Sequence, residues 1–281
     1  MLSFTEAYKL FVETPWLGGI LWLWVGLCIG SFLNVCIWRI PNGMSLITPP
    51  SHCPKCDHPI RAWENIPVIS WLCLRGKCSG CKQPISIRYP LVESLTGLIF
   101  LAVFLVKAES GAPVLLMYSV TAAVLIATAF TDCDYRIVPD SIVITQLIAV
   151  LLLLVWKQYG HWQEIALYLL AHLVVPGVLL CGFAMLGRGL TGKMIVGWGD
   201  VKLLTVLAPV TGIMNFLWIL LLAAIFALVI APVYKRIKPK MRHRPIPFVP
   251  FIAVASALIL LTPLGTQLAA RFYPALRTAG M

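Results

Sequence analysis

Apolar runs near 20 residues recur along the chain, separated by short stretches rich in charge, glycine or proline. About 20 residues at a rise of about 1.5 Å cross the hydrocarbon of a bilayer, so each run predicts a spanning helix. The runs lie at about 15–38, 90–106, 113–130, 141–156, 165–186, 216–234 and 248–268. A shorter apolar stretch at about 201–214, just behind Asp200, predicts one more helix, tilted or partly buried in protein. The first 14 residues carry Glu6, Lys9 and Glu13 and lack the basic start of a signal peptide, so the first run is expected to stay as a true span. The pattern predicts an all-α polytopic membrane protein with about eight transmembrane helices.

Composition agrees. Of 281 residues, 60% are hydrophobic and 12% charged, with a mean hydropathy of +0.90. An ordinary soluble domain is about 25% charged. These values exclude a soluble globular enzyme, a disordered chain and a small secreted disulfide scaffold. The formal charge is +11, which in a membrane protein is first a topology signal. With eight spans and the N-terminus outside, most basic residues fall in the inner segments 39–88, 131–140, 187–202 and 235–247, leaving Lys9, Lys107, Lys157, Arg271 and Arg277 outside. The bias places both termini outside and the two strongly basic segments in the cytoplasm.

The segment 39–88 is the one sizeable polar region. It carries Cys53-x2-Cys56 and, 21 residues later, Cys78-x2-Cys81. Two such pairs suit a closed tetrahedral thiolate site for a structural zinc ion. Pro54-Lys55 and Ser79-Gly80 supply the turn chemistry, and a polar loop of about 50 residues has too little core to fold without a staple. His52 and His58 stand close enough in sequence to substitute as ligands. Cys28, Cys36, Cys133 and Cys181 sit in or beside apolar runs and read as small buried hydrophobes, while Cys73 is unpaired in the pattern. The basic loop has no recognition-helix pattern, so attraction to anionic lipid explains it and no nucleic acid partner is expected.

The chain holds five aspartates, and four of them, Asp132, Asp134, Asp140 and Asp200, stand at the expected inner ends of apolar runs. Ionisable groups at membrane depth are costly and are candidates for function. Pro139 breaks the helix before Asp140, which is expected to N-cap the next span. Asp134 is expected to face water or pair with Arg136. Asp200 follows Gly197-Trp-Gly, where two glycines permit close backbone approach and a helix N-terminus favours the charge. Lys202, two residues on, is a candidate to depress the Asp200 pKa. Two carboxylates at close range share one proton and can divide acid and base roles on a water molecule, as in aspartic proteases. No Gly-x-Ser-x-Gly, His-Glu-x-x-His or Walker loop competes.

Over roughly 15–265 the sequence resembles the type IV prepilin peptidases, polytopic aspartyl proteases with a Gly-x-Gly-Asp signature. The resemblance is carried by Gly30-Ser-Phe-Leu-Asn34-Val with Arg39-Ile-Pro41, by Ser51 to Cys56, Glu64 to Val68, Arg75 to Cys78 and Ile87 to Glu93, by Asp132 to Asp140, by Gly197 to Lys202, and by Pro245 to Phe251, where Val249 replaces the usual glycine. It implies a bacterial inner (cytoplasmic) membrane enzyme, its active site facing the cytoplasm. Such an enzyme removes the basic leader of type IV prepilins and type II secretion pseudopilins, after a small residue and before Phe. It implies Asp132 and Asp200 as the catalytic pair, with Asp134 as rival to Asp132, and Cys53, Cys56, Cys78 and Cys81 as metal ligands. It further implies N-methylation of the new terminus from S-adenosylmethionine, an activity for which no residue here spells out a pocket. Glu64 or Glu93 is a candidate contact for the basic leader. The expected domains are 1–38 with the first span, 39–89 as the zinc-stapled cytoplasmic domain, and 90–281 as the membrane peptidase. A proton-coupled transporter using the same aspartates as a relay, and a zinc-stabilised scaffold without catalysis, are the competing classes. The transporter predicts inverted repeats, and no convincing internal repeat is seen.

Overall fold

The computed structural model describes residues 4–192, 196–237, 246–264 and 267. Among these the chain is helical and forms no named strand. The helices are α1 (Phe4–Glu13), α2 (Pro15–Arg39), α3 (Ile69–Cys73), α4 (Arg88–Lys107), α5 (Ala112–Tyr135), α6 (Asp140–Lys157), α7 (Trp162–Leu169), α8 (Val175–Thr191), α9 (Trp198–Thr211), α10 (Ile213–Ile237) and α11 (Val249–Leu261). Helix α7 runs into α8 through a π turn, Leu170–Val174, just ahead of Pro176, whose missing N–H disturbs the regular ladder. Among the described residues six stretches are long and apolar enough to span: α2, Arg88–Ser110, α5, α6, Trp162–Leu190 and Ile213–Val233.

The eight-helix expectation therefore leans on two shorter members. Helix α9 has 14 residues and α11 has 13, each about 20 Å long. Much of α9 is buried, from Val201 to Thr211, against α6, α8 and α10. A helix enclosed by protein has its apolar surface covered without needing the length of a lipid-exposed span. Two further features depart from the apolar pattern. Residues Phe4–Glu13 form helix α1 ahead of the first span. Helix α5 runs on through Asp132 and Asp134, so the expected inner segment 131–140 shrinks to residues 136–139. Of the basic cluster in 235–247, Lys238, Lys240, Arg242 and Arg244 lie outside the described residues, as do Lys193, Pro245 and the end of the last expected span.

The chain falls into two compact units, residues 1–127 and 128–281. In the first, α2 packs along α4 at very short range. A Cβ on Gly26 would lie 2.7 Å from the Phe100 Cβ and 2.9 Å from the Gly97 Cα, and one on Gly30 would lie 2.7 Å from the Glu93 Cα. Gly26 and Gly30 thus form a small-residue seam of the kind that joins helices in lipid, where close backbone packing replaces the hydrophobic effect. Trp22 stacks on Phe100, Phe11 meets Phe104 edge-on, and the Trp22 indole donates to the Ser119 hydroxyl at 3.0 Å. In the second unit, α9 is the central element. The Tyr168 hydroxyl ties α7 to it by donating to the Pro209 carbonyl at 2.7 Å.

Candidate functional site

In the first unit the polar loop after α2 is held from its root. Buried Arg39 donates to the carbonyls of Ser45 (2.9 Å) and Pro49 (2.7 Å). Beyond it stand two knuckles of the same design. In one, the Cys53 N–H donates to His58 O and Asp57 adopts a left-handed φ of 54°; in the other, the Cys78 N–H donates to Gln83 O and Lys82 has φ 59°. Each knuckle closes on an isolated bridge, His52 with Pro59 and Lys77 with Pro84. The knuckles face each other, with all four sulfurs of Cys53, Cys56, Cys78 and Cys81 within 4.8 Å of one another. Cys53 to Cys81 is 3.9 Å and Cys56 to Cys78 is 4.0 Å. A tetrahedral Zn–S distance of about 2.3 Å requires sulfurs about 3.8 Å apart, so the thiol set fits the ion. Backbone N–H groups of Cys81 and Gly80 draw the Cys78 thiol down to about 6, toward the thiolate that binds metal.

His52 and His58 are not in this set. His52 Nδ1 sits 3.0 Å from the Pro50 carbonyl, and His58 Nε2 is 3.6 Å from Glu64. Glu64 and Glu93, expected as leader contacts, are buried structural anchors instead. Glu64 accepts from the Arg61 N–H at 2.9 Å and from the Ser79 side chain, which hold its carboxyl below the usual range. Glu93 accepts the Val68 N–H at 2.7 Å and a bond from Ser31. Of the cysteines read as buried hydrophobes only Cys36 is buried; Cys28 and Cys133 are exposed and Cys181 is half-buried.

In the second unit two sequence-distant aspartates come within electrostatic reach of each other. Asp132, near the end of α5, is 8% exposed, while Asp134 two positions on is exposed. Residues two apart on a helix point to different faces, so one of the pair can enter the site. Asp200 is the third residue of α9, half-buried, with the Gly197 N–H bonded to its carboxylate. The Asp132 and Asp200 carboxyls are near enough for their charges to interact. The Val249 N–H at the start of α11 donates to Asp132 Oδ2 at 3.1 Å, the Phe248 N–H joins it, and Arg136 lies within electrostatic reach.

Two glycine-dependent details bring these elements together. Gly199 abuts Val138, whose Cγ2 would be 2.9 Å from any Cβ placed there. Gly197 sits against the Asp200 carboxylate, 3.2 Å from its Oδ2 on the same measure. Two sequence expectations are corrected here. Lys202 does not serve Asp200, because its Nζ donates to Asp140 Oδ1 at 2.7 Å. Asp140 makes no N-cap bond, because α6 begins at Asp140 itself with Pro139 in the cap position, which leaves the carboxylate free to take Lys202. The Val249 amide escaped side-chain reasoning because a main-chain donor carries no residue signature. The signal was its place at the head of an apolar helix beside a proline, where N–H groups lack helical partners.

Comparison with known proteins matches the Bacterial Peptidase A24 N-terminal domain over residues 24–107 and the Type IV leader peptidase family over 119–232. Among similar proteins, the prepilin leader peptidase/N-methyltransferase of Stutzerimonas stutzeri is 36% identical over 274 residues, covering 88% of this chain and 91% of its own. That of Aeromonas hydrophila is 35% identical with the same coverage. That of Pseudomonas aeruginosa is 34% identical over 264 residues, covering 84% and 88%. No solved structure matches the chain.

Proposed function

The chain belongs to the type IV leader peptidase family, and from that premise we propose that it cleaves the basic leader from type IV prepilins and type II secretion pseudopilins at the cytoplasmic face, with Asp132 and Asp200 as its catalytic pair. It is an enzyme of the prepilin leader peptidase/N-methyltransferase kind and a multi-pass inner-membrane protein. The observation that carries the catalytic assignment is that the carboxyls of Asp132 on α5 and Asp200 on α9 lie within electrostatic reach of each other, the first of them held by the Val249 amide.

The chemistry follows from that pairing. Two carboxyls sharing one proton present a base and an acid together. The ionised member takes a proton from water as the water oxygen attacks the scissile carbonyl carbon. The protonated member delivers its proton as the C–N bond breaks, freeing the mature amine and the leader carboxylate. Backbone donors at Val249 and Phe248 hold the Asp132 carboxylate in place without titrating. The apolar helix of the substrate stays in the membrane while its leader remains in water. The freed amine is then methylated, with S-adenosylmethionine supplying the methyl group. Cys53, Cys56, Cys78 and Cys81 would hold zinc, which with four thiolates has no open position and serves to staple the loop.

The test is incubation of the full chain, in detergent or liposomes, with a synthetic prepilin and the methyl donor, read by intact mass. Native protein removes the leader and adds one methyl group. Asp132→Asn and Asp200→Asn each abolish leader removal while remaining folded, and Asp134→Asn cleaves normally. Normal processing by Asp132→Asn or Asp200→Asn rejects the pair.

A further inference from the structure

We propose that Asp140 and Lys202 form a positioning pair that sets the separation of Asp132 and Asp200, an inference that rests on the catalytic reading above. Lys202 Nζ meets Asp140 Oδ1 at 2.7 Å. Asp140 opens α6 only eight residues after Asp132, across the short link 136–139 that follows α5. Lys202 stands two residues after Asp200 on α9, so its side chain leaves the helix on a different face from the catalytic carboxylate. The four residues therefore close a ring: Asp132, the link, Asp140, the ion pair, Lys202 and Asp200. The Gly199–Val138 contact lies inside the same ring, where the missing Cβ lets α9 seat closely on the link.

The energetics separate positioning from stability. The Lys202 and Asp140 side chains are 50% and 66% exposed, and ion pairs that open to solvent contribute little to folding. Neither group touches the reacting atoms. Their leverage is geometric, because a catalytic group displaced by about 1 Å loses about a hundredfold in rate. Arg136 sits on the link and acts on Asp132, so the charges around the ring are Asp134, Arg136, Lys202, Asp140 and the catalytic two. Of these, the Asp140–Lys202 contact is the one that bridges α6 and α9.

The experiment compares Lys202→Gln, Asp140→Asn, Lys202→Arg and the exchanged double variant Asp140→Lys/Lys202→Asp, in full-length protein with a synthetic prepilin, alongside Asp132→Asn. Each of the two neutral variants lowers kcat about tenfold, with KM and Tm near native. Lys202→Arg keeps native kcat, and the exchanged pair recovers to within about threefold of it. Native kcat in either neutral variant overturns the proposal. So does an exchanged pair no faster than the slower single variant, or a fall in kcat matched by a fall in Tm. Native cleavage by Asp132→Asn instead overturns the catalytic reading, whereas inactive Asp132→Asn beside native-rate Lys202→Gln overturns the positioning pair alone.

Discussion

Replacing Gly199 by alanine tests whether the close approach of α9 to the link after α5 governs catalysis. The added methyl would lie 2.9 Å from Val138 Cγ2, 3.0 Å from its Cβ and 3.5 Å from its amide nitrogen. Apolar carbons settle at about 3.5–4.0 Å, so the two segments must part by roughly 0.5–1 Å. Val138 has little room to yield, because it precedes Pro139 and is confined to extended backbone. The start of α9 therefore moves, and Asp200 with it. Overpacking costs about 1–3 kcal/mol, while alanine in a helix regains about 1 kcal/mol over glycine. Net destabilisation is thus about 0–2 kcal/mol, and Tm changes by only a few degrees. The displacement predicts a kcat lower by about 10- to 100-fold. The assay is single-turnover leader cleavage followed by mass, with thermal unfolding measured on the same samples. Gly182→Ala is the control, since a Cβ there meets nothing within 4 Å; it keeps native activity. Native cleavage by Gly199→Ala at native Tm would refute the reasoning, because the link would then yield without disturbing the carboxyl pair.

Two further outcomes are expected. Cys53→Ser or Cys81→Ser lowers the bound zinc measured by elemental analysis of the purified protein and makes the 39–88 loop sensitive to protease. Cys73→Ser changes neither, and full zinc retention in Cys53→Ser would remove the tetrathiolate site. Gly26→Leu forces α2 off α4, costing about 3 kcal/mol, and is read as a lower unfolding temperature in detergent; an unchanged unfolding temperature would show that the seam is not a packing constraint.

Much of this molecule is written in local pattern. The apolar runs predict the long helices because a bilayer requires self-satisfied backbone over a set length. The paired Cys-x-x-Cys stretches predict the knuckles because ligand spacing and turn residues are local properties. Helix ends were less legible: α5 runs on through Asp132 and Asp134 because polar residues do not by themselves stop a helix, and it ends where Arg136 takes a left-handed φ of 61° ahead of Pro139. The α9 stretch reads as a marginal span because its 14 residues are too few to cross the hydrocarbon unaided, and its burial by neighbouring helices is not visible in hydropathy.

Partner choice is what tertiary structure decided. Sequence alone left Asp132 and Asp134 as rivals, and placed Lys202 with Asp200 because they are neighbours. In the fold, Asp132 turns inward to Asp200 and the Val249 amide, Asp134 faces out, and Lys202 reaches across to Asp140. A one-dimensional pattern determines which residues share a helix face, since the backbone period is fixed. Which faces meet depends on how closely helices approach, and at Gly199 and Gly26 that distance is set by the absence of a single carbon atom.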